Sequence, residues 1–140
     1  MKNIGNSNTN VIESEHRFEA AGEDGVRQIL TMGNSVTALI CAYDNIAFGA
    51  IKELKKAGLR VPDDVSVIGM DNINTGKYAD SSLTTIDSNP EEVCTAAWNL
   101  LQEKIKNPYF FAKKETINAK LIIRESIAPC NTIISETTQK

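Results

Sequence analysis

"TALICAYDNIAFGAIKELKKAGLRVPDDVSVIGMDN", residues 37–72, is the stretch whose reading decides the fold. Two apolar runs, 36–42 and 65–70, have the nearly continuous hydrophobic character of strands buried in a parallel sheet. Between them, Ile46, Ala47, Ala50, Ile51, Leu54 and Ala57 recur at helical spacing over 45–57. Gly58 can end that helix, and "LRVPDD" turns the chain into the second strand. Both strands stop abruptly on a carboxylate, Asp44 and Asp71, and "LTTI" (83–86) does the same at Asp87.

Outward from this unit the pattern continues. Upstream, Phe18, Gly22, Val26, Ile29 and Leu30 share one face of a helix over 18–32, with Gly33 as its stop. Gly25 inside it costs roughly 1 kcal/mol relative to Ala. Downstream, Asn89 is a cap candidate, Pro90 fits the first helical position and Glu92 stands where a capping box needs it. Val93, Ala97, Leu100, Leu101 and Ile105 give the helix 90–106 an apolar face, and "NP" at 107–108 stops it. In "ETINAKLIIRESI" Ile117, Ala119, Leu121 and Ile123 alternate with mostly polar residues, as in a final strand. Helices alternating with apolar strands predict an α/β layered fold, a mainly parallel sheet flanked by helices. The expected organisation is a loose segment 1–12, a domain over 13–128 and a polar tail 129–140.

The composition narrows the function. A 140-residue chain suits one domain, and a formal charge of −3 argues against nucleic-acid binding by these residues, since phosphate contacts need a basic surface. No apolar run approaches the roughly 18 residues that span a bilayer, and the polar "MKNIGNSNTN" is no signal peptide. Cys41, Cys94 and Cys130 are odd in number without CxxC spacing, so reduced thiols in a cytoplasmic protein are expected. GxGxxG, GxxxxGK[ST] and GxSxG are all absent, and His16 is the lone histidine. A phosphoacceptor receiver would need an acidic pair after its first strand and a downstream strand-end Lys, and neither is present. The expectation is therefore no catalytic residue, no metal and no cofactor. In parallel sheets ligands bind outside the carboxyl ends of the strands, and ionised carboxylates there accept hydrogen bonds from sugar hydroxyls or base amino groups.

The combination of "DNIAFGA", "GLRVPDDVSVIGMD" and "LTTI", with the trailing "AKLIIRES", resembles the LacI/GalR family of bacterial transcription regulators. Residues from about 18 to 128 follow its pattern nearly without gaps, in the C-terminal part of a sensor domain similar to periplasmic sugar-binding proteins. The resemblance implies a sugar, nucleoside or nucleobase effector held in a cleft between two lobes, a homodimer formed through the sensor, and operator DNA reached only through a headpiece that this sequence lacks. It also implies that helix 90–106 belongs to the other lobe, so that here it lacks its usual sheet and the protein is incomplete or differently packed. A solute-binding component of a sugar transporter shares the architecture and is the alternative. A small enzyme using Asp44 and Asp71 as acid and base is a third reading, which turnover of a ligand would support.

By the same resemblance Asp71 is the ligand-contacting acid of the "G-x-D" motif, against a plain reading as a turn residue. Asp44 is either a ligand contact or a cap of its helix. Tyr43 stands where many members carry Asn, and either contacts the ligand or packs on the rim. Arg17 falls at a cleft position often held by an aromatic, where it pairs with an anionic group of the ligand or is simply solvated. Ser88 replaces a frequent Gln, and Asp87 has no assignment. Phe48, off its helix's apolar stripe beside Lys52 and Lys55, marks a dimer interface with Tyr78, or is a single exposed aromatic. Trp98 lies off the main stripe of its helix and is a packing or contact residue.

Overall fold

In the computed structural model, residues 10–33, 36–74, 82–111 and 113–129 are described. The elements are α1 (Phe18–Thr31), β1 (Ala38–Ile40), α2 (Asp44–Lys56), β2 (Ser66–Met70), β3 (Thr84–Asp87), α3 (Pro90–Lys106) and β4 (Lys120–Ile122). The strands form one sheet in the order β1-β2-β3-β4. The first two pairings are parallel and the last is antiparallel, as expected for a mainly parallel α/β layer.

The helix layer is tightly built. Gly22 of α1 and Gly49 of α2 let the two backbones touch. A Cβ on Gly22 would lie 2.0 Å from the Ile46 carbonyl oxygen, and one on Gly49 would lie 1.9 Å from that of Glu19. The helices run parallel, because the Asn45 side chain donates to Glu19 at their first turns (2.7 Å) while Arg27 meets Glu53 near their ends (3.5 Å). Beneath them Val26, Ala47, Ala50, Leu54, Val67 and Leu83 form the core. α2 closes with a complete Schellman motif: Leu59 N–H donates to the Leu54 carbonyl and Gly58 N–H, at φ +79°, to that of Lys55. In the following turn Arg60 pairs with Asp64 through both its Nε and a terminal nitrogen, each 3.0 Å from a carboxylate oxygen, which accounts for "RVPDD".

Register assigns the two faces of the sheet. Leu39, Val67 and Thr85 point toward the helices, whereas Ile40, Ile68, Met70, Ile86 and Leu121 point the other way. Among the described residues no helix covers that second face: Ile40 is 81 % exposed and Leu121 55 %. Only Thr84 is buried there, its hydroxyl accepting the Arg124 N–H. The strand alternation around Leu121 and Ile123 therefore exists, but the side expected to be buried is open.

α3 is the second departure. It has an apolar face at helical spacing, yet none of its residues is buried and Trp98 is 60 % exposed. It stands off the sheet. Asn89 is its cap residue, in a left-handed conformation, but its side chain caps nothing. The amide donates to the Glu92 carboxylate instead, so the capping-box reading is corrected. The positive φ turns the Asn89 side chain away from the first helical N–H groups.

Candidate functional site

The carboxyl ends of β1, β2 and β3 form a rim, and its three aspartates have different environments. Asp44 is not a cap: Tyr43 holds the cap position, and Asp44 is the first residue of α2. It is fully buried beneath the rim, one oxygen accepting the Ile73 N–H (2.9 Å) and the other the Thr85 hydroxyl (2.6 Å). The carboxylate thus ties α2 to β3 and to the loop after β2. Gly69 makes the room, since a Cβ there would sit 2.2 Å from the Asp44 oxygen. With both oxygens occupied and no exposed surface, Asp44 braces the site rather than facing a ligand.

Asp87 is half-buried and equally committed. It accepts the Asn89 N–H (2.8 Å) and the Asn72 side-chain amide (3.0 Å), which hold its carboxyl below the usual carboxylate range. Asn72 in turn accepts from Arg124 (2.6 Å), whose guanidinium also donates to the Leu83 carbonyl (2.7 Å). The hydroxyl of Ser126, fully buried, bridges β2 and β3 by donating to the Val67 carbonyl and accepting the Thr84 N–H. The "RES" tripeptide after β4 therefore clamps the loop after β2 from below.

Asp71 is the exposed member. Its N–H still extends the sheet to Ile86 (3.0 Å), but Asp71 has φ +112° and Asn72 φ +52°. Two successive left-handed residues lift the chain off the sheet and leave the Asp71 carboxylate on the surface without a hydrogen-bond partner among the described residues. A non-glycine residue at such a φ costs about 1–3 kcal/mol and persists only where its surroundings enforce it; here the Asn72–Arg124–Asp87 network does so. Partial desolvation, and then the neighbouring Asp44 charge, raise the Asp71 pKa.

The structure brings Tyr43 and Arg17 to the same rim. Tyr43 precedes α2 and is half exposed. Arg17 precedes α1, whose first turn is tied to that of α2, and its guanidinium lies 5.3 Å from the Phe18 ring centre. Phe48 is elsewhere: it is half-buried and packs against the core cluster, so the reading of it as standing outside the core face is corrected, because the large ring reaches back to the core from the flank of α2. Lys52 is paired with Glu23 of α1 (2.6 Å), and Lys55 follows on the same helix. Tyr78 lies outside the described residues. A cavity of about 40 Å³ between Val26, Leu30, Leu39 and Leu54 is far below the roughly 300 Å³ of a ligand pocket.

No group of metal-ligating residues and no helix long and apolar enough to cross a membrane occurs among the described residues. Cys41 and Cys94 are free, while Cys130 lies outside the described residues. Burial, with the Asp44 charge adding, pushes the Cys41 thiol up to about 11, so it is protonated and unreactive at neutral pH. Sequence reading saw the three aspartates but missed Thr85, Arg124 and Ser126, whose partners are distant in sequence. The polar "RES" following an apolar run was the available signal.

The structure is a layered α/β fold with its polar groups gathered at the carboxyl rim. Residues 2–127 match the family described as periplasmic binding protein-like domain, and the chain belongs to it. It is 34 % identical over 117 residues to the ribose operon repressor of Haemophilus influenzae, covering 84 % of this chain and 35 % of that protein. It is 34 % identical over 125 residues to the transcriptional repressor PurR of Photobacterium profundum, covering 89 % of this chain and 37 % of that one. A LacI-family regulator from Enterococcus faecalis, solved with bound ribose, superposes with a TM-score of 0.75 at 32 % identity over 81 % of this chain and 42 % of that one. The chain thus spans little more than a third of the length of the curated relatives it matches.

Proposed function

We propose that this chain is the effector-sensing lobe of a LacI-type transcription regulator, acting by ligand binding and not by chemistry. Asp71 carries the reading: an exposed carboxylate, without a hydrogen-bond partner among the described residues, held at an unfavourable φ on a bonded base. Strain and partial desolvation concentrated on one surface carboxylate are a signature of sites kept ready for a ligand. Tyr43 and Arg17, ahead of α2 and α1, complete the proposed site, and Asp44 supports it from beneath. A polyhydroxylated ligand would donate to Asp71, and the ribose-bound relative makes a pentose the first candidate. In the whole regulator a second lobe closes over the ligand and shifts the population of closed states, and operator DNA is contacted by a separate part. The relatives are named as repressors, which supports a binding role rather than an enzymatic one. A homodimer through the α2 flank (Phe48, Lys52 and Lys55), with Tyr78 brought in by the family resemblance alone, and a cytoplasmic location belong to the same proposal.

Titration of the 140-residue chain with ribose, followed by NMR, tests this. Half a cleft should bind with a Kd of about 1–10 mM, shifting Asp71, Tyr43 and Arg17 and losing these shifts in Asp71→Ala. Shifts confined to other surfaces, or shifts that survive Asp71→Ala, would sink the assignment. For the dimer, Phe48→Ala should shift a dimeric sample toward monomer in sedimentation while the chain stays folded; no shift in a clearly dimeric sample would sink the interface.

A further inference from the structure

Arg17 stands apart from the other arginines. Arg27 pairs with Glu53 (3.5 Å) and Arg60 with Asp64 (3.0 Å), while Arg124 donates to Asn72 (2.6 Å) and the Leu83 carbonyl (2.7 Å). Arg17 makes no hydrogen bond or ion pair among the described residues; its guanidinium lies over the Phe18 ring, 5.3 Å from the ring centre. A cation–π contact uses the charge and not the N–H donors, so the planar fork stays available to a carboxylate or a phosphate.

This arginine is held from both sides. Behind it, Ser14 donates to Asp24 (2.7 Å), and Gln28 donates to Asp24 (2.9 Å) and to the Glu13 carbonyl (3.1 Å), which fastens residues 13–14 along α1. Ahead of it, Phe18 opens α1 at φ +53°, a left-handed conformation that bulky residues rarely adopt. The first-turn acid Glu19 does not neutralise the charge, because it already accepts from Asn45 (2.7 Å).

The packing of α1 on α2 fixes where the charge stands. Gly22 abuts Ile46 and Ala50, and Glu19 meets Asn45 and Gly49. Carried toward the rim, that register sets Arg17 level with Tyr43 and Asp44, across an interhelical spacing of no more than about 8–10 Å. Asp44 in turn holds the Ile73 N–H, two residues past Asp71. The rim therefore offers an acceptor, Asp71, and an uncommitted donor, Arg17, with the first turn of α2 between them. The chain's formal charge of −3 and the aspartates at the rim repel anions, so a preference for a charged ligand over its neutral parent must come from a local cation.

We infer that Arg17 is the specificity residue of the proposed site, and that the effector carries a phosphate or carboxylate on a hydroxylated body. The hydroxyls donate to Asp71, and the anionic group accepts from the Arg17 fork. This inference rests on the effector-sensing reading of the rim.

The test titrates the 140-residue chain, followed by NMR, with ribose, ribose 5-phosphate, ribonate and inorganic phosphate. At least one of the two sugar anions should bind about 10-fold more tightly than ribose and shift the Arg17 Nε–H resonance. Whichever does so names the anion as phosphate or carboxylate. Arg17→Gln, a change at an exposed position, should bring that ligand and ribose within about 2-fold of each other, and Arg17→Lys, which keeps the charge but not the fork, should retain only part of the difference. A preference that survives Arg17→Gln would overturn the inference, as would inorganic phosphate binding as tightly as ribose 5-phosphate. Ribose shifts that vanish in Asp71→Ala, with no preference for either anion, would overturn this inference alone. No ligand-induced shift at Asp71 would overturn the effector reading along with it.

Discussion

α2 and α3 are both amphipathic helices of ordinary length with acidic first turns and basic last turns, yet their positions in the structure are opposite. α2 buries Ala47, Ala50, Ile51 and Leu54 against a helix and a sheet, and even its first-turn aspartate is sealed inside. α3 buries nothing. Helical periodicity specifies that a face is apolar; whether the face is buried depends on a complementary surface, and only α2 has one among the described residues. The same division runs through the sheet, whose helix-side face is closed and whose opposite face is open.

The largest effects should come from the closed side. Gly49→Ala places a methyl group inside the backbone of α1 and should destabilise the chain by at least about 3 kcal/mol, or prevent folding, in thermal or urea unfolding. Asp44→Ala should cost about 3 kcal/mol by leaving the Ile73 N–H and the Thr85 hydroxyl unpaired in a buried site, and Asp44→Asn clearly less. An Asp44→Ala chain as stable as the parent would mean that the brace is not load-carrying and that α2 is held by packing alone.

The rim gives smaller effects that pH separates. The Asp87 pKa is lowered from its ordinary 3.8, so its ionised form contributes stability fully present above 3.8 and lost as pH falls through the lowered value. Asp87→Asn should lower the melting temperature at pH 7, the difference closing under strong acid. The Asp71 pKa is raised, so ionising it opposes folding as pH rises from 3.8 through the raised value. Asp71→Asn should therefore raise the melting temperature slightly at pH 7 and have no effect below pH 3.8, while abolishing ribose-induced shifts. A fall in melting temperature at pH 7 would remove the case for Asp71 as a strained site residue. Smallest of all, Trp98→Ser on α3 should change stability by less than about 0.5 kcal/mol; a larger loss would show that α3 has a partner in solution.

Much of this arrangement was legible in the residues. The expected helices over 18–32, 45–57 and 90–106 lie within a residue or two of α1, α2 and α3, and the three apolar runs became β1, β2 and β3. The last strand was overextended, for only Lys120–Ile122 pairs with β3. The site was less legible. Asp44, Asp71 and Asp87 all end apolar strands; the resemblance pointed to Asp71 as a ligand contact, left Asp44 between ligand contact and cap, and gave Asp87 no assignment. Their differences come from Thr85, Asn72 and Arg124, the last reaching Asn72 across 52 residues of sequence.

The sequence alone determined the periodicities, the strand-ending carboxylates and the glycines, because these depend on local geometry: 3.6 residues per helical turn, two per strand repeat, and space for close approach. Tertiary structure alone decided which aspartate is sealed and which is offered to solvent, and which apolar faces are covered. Those outcomes depend on contacts between segments far apart in the chain, and burial is a property of the pair of surfaces, not of either one.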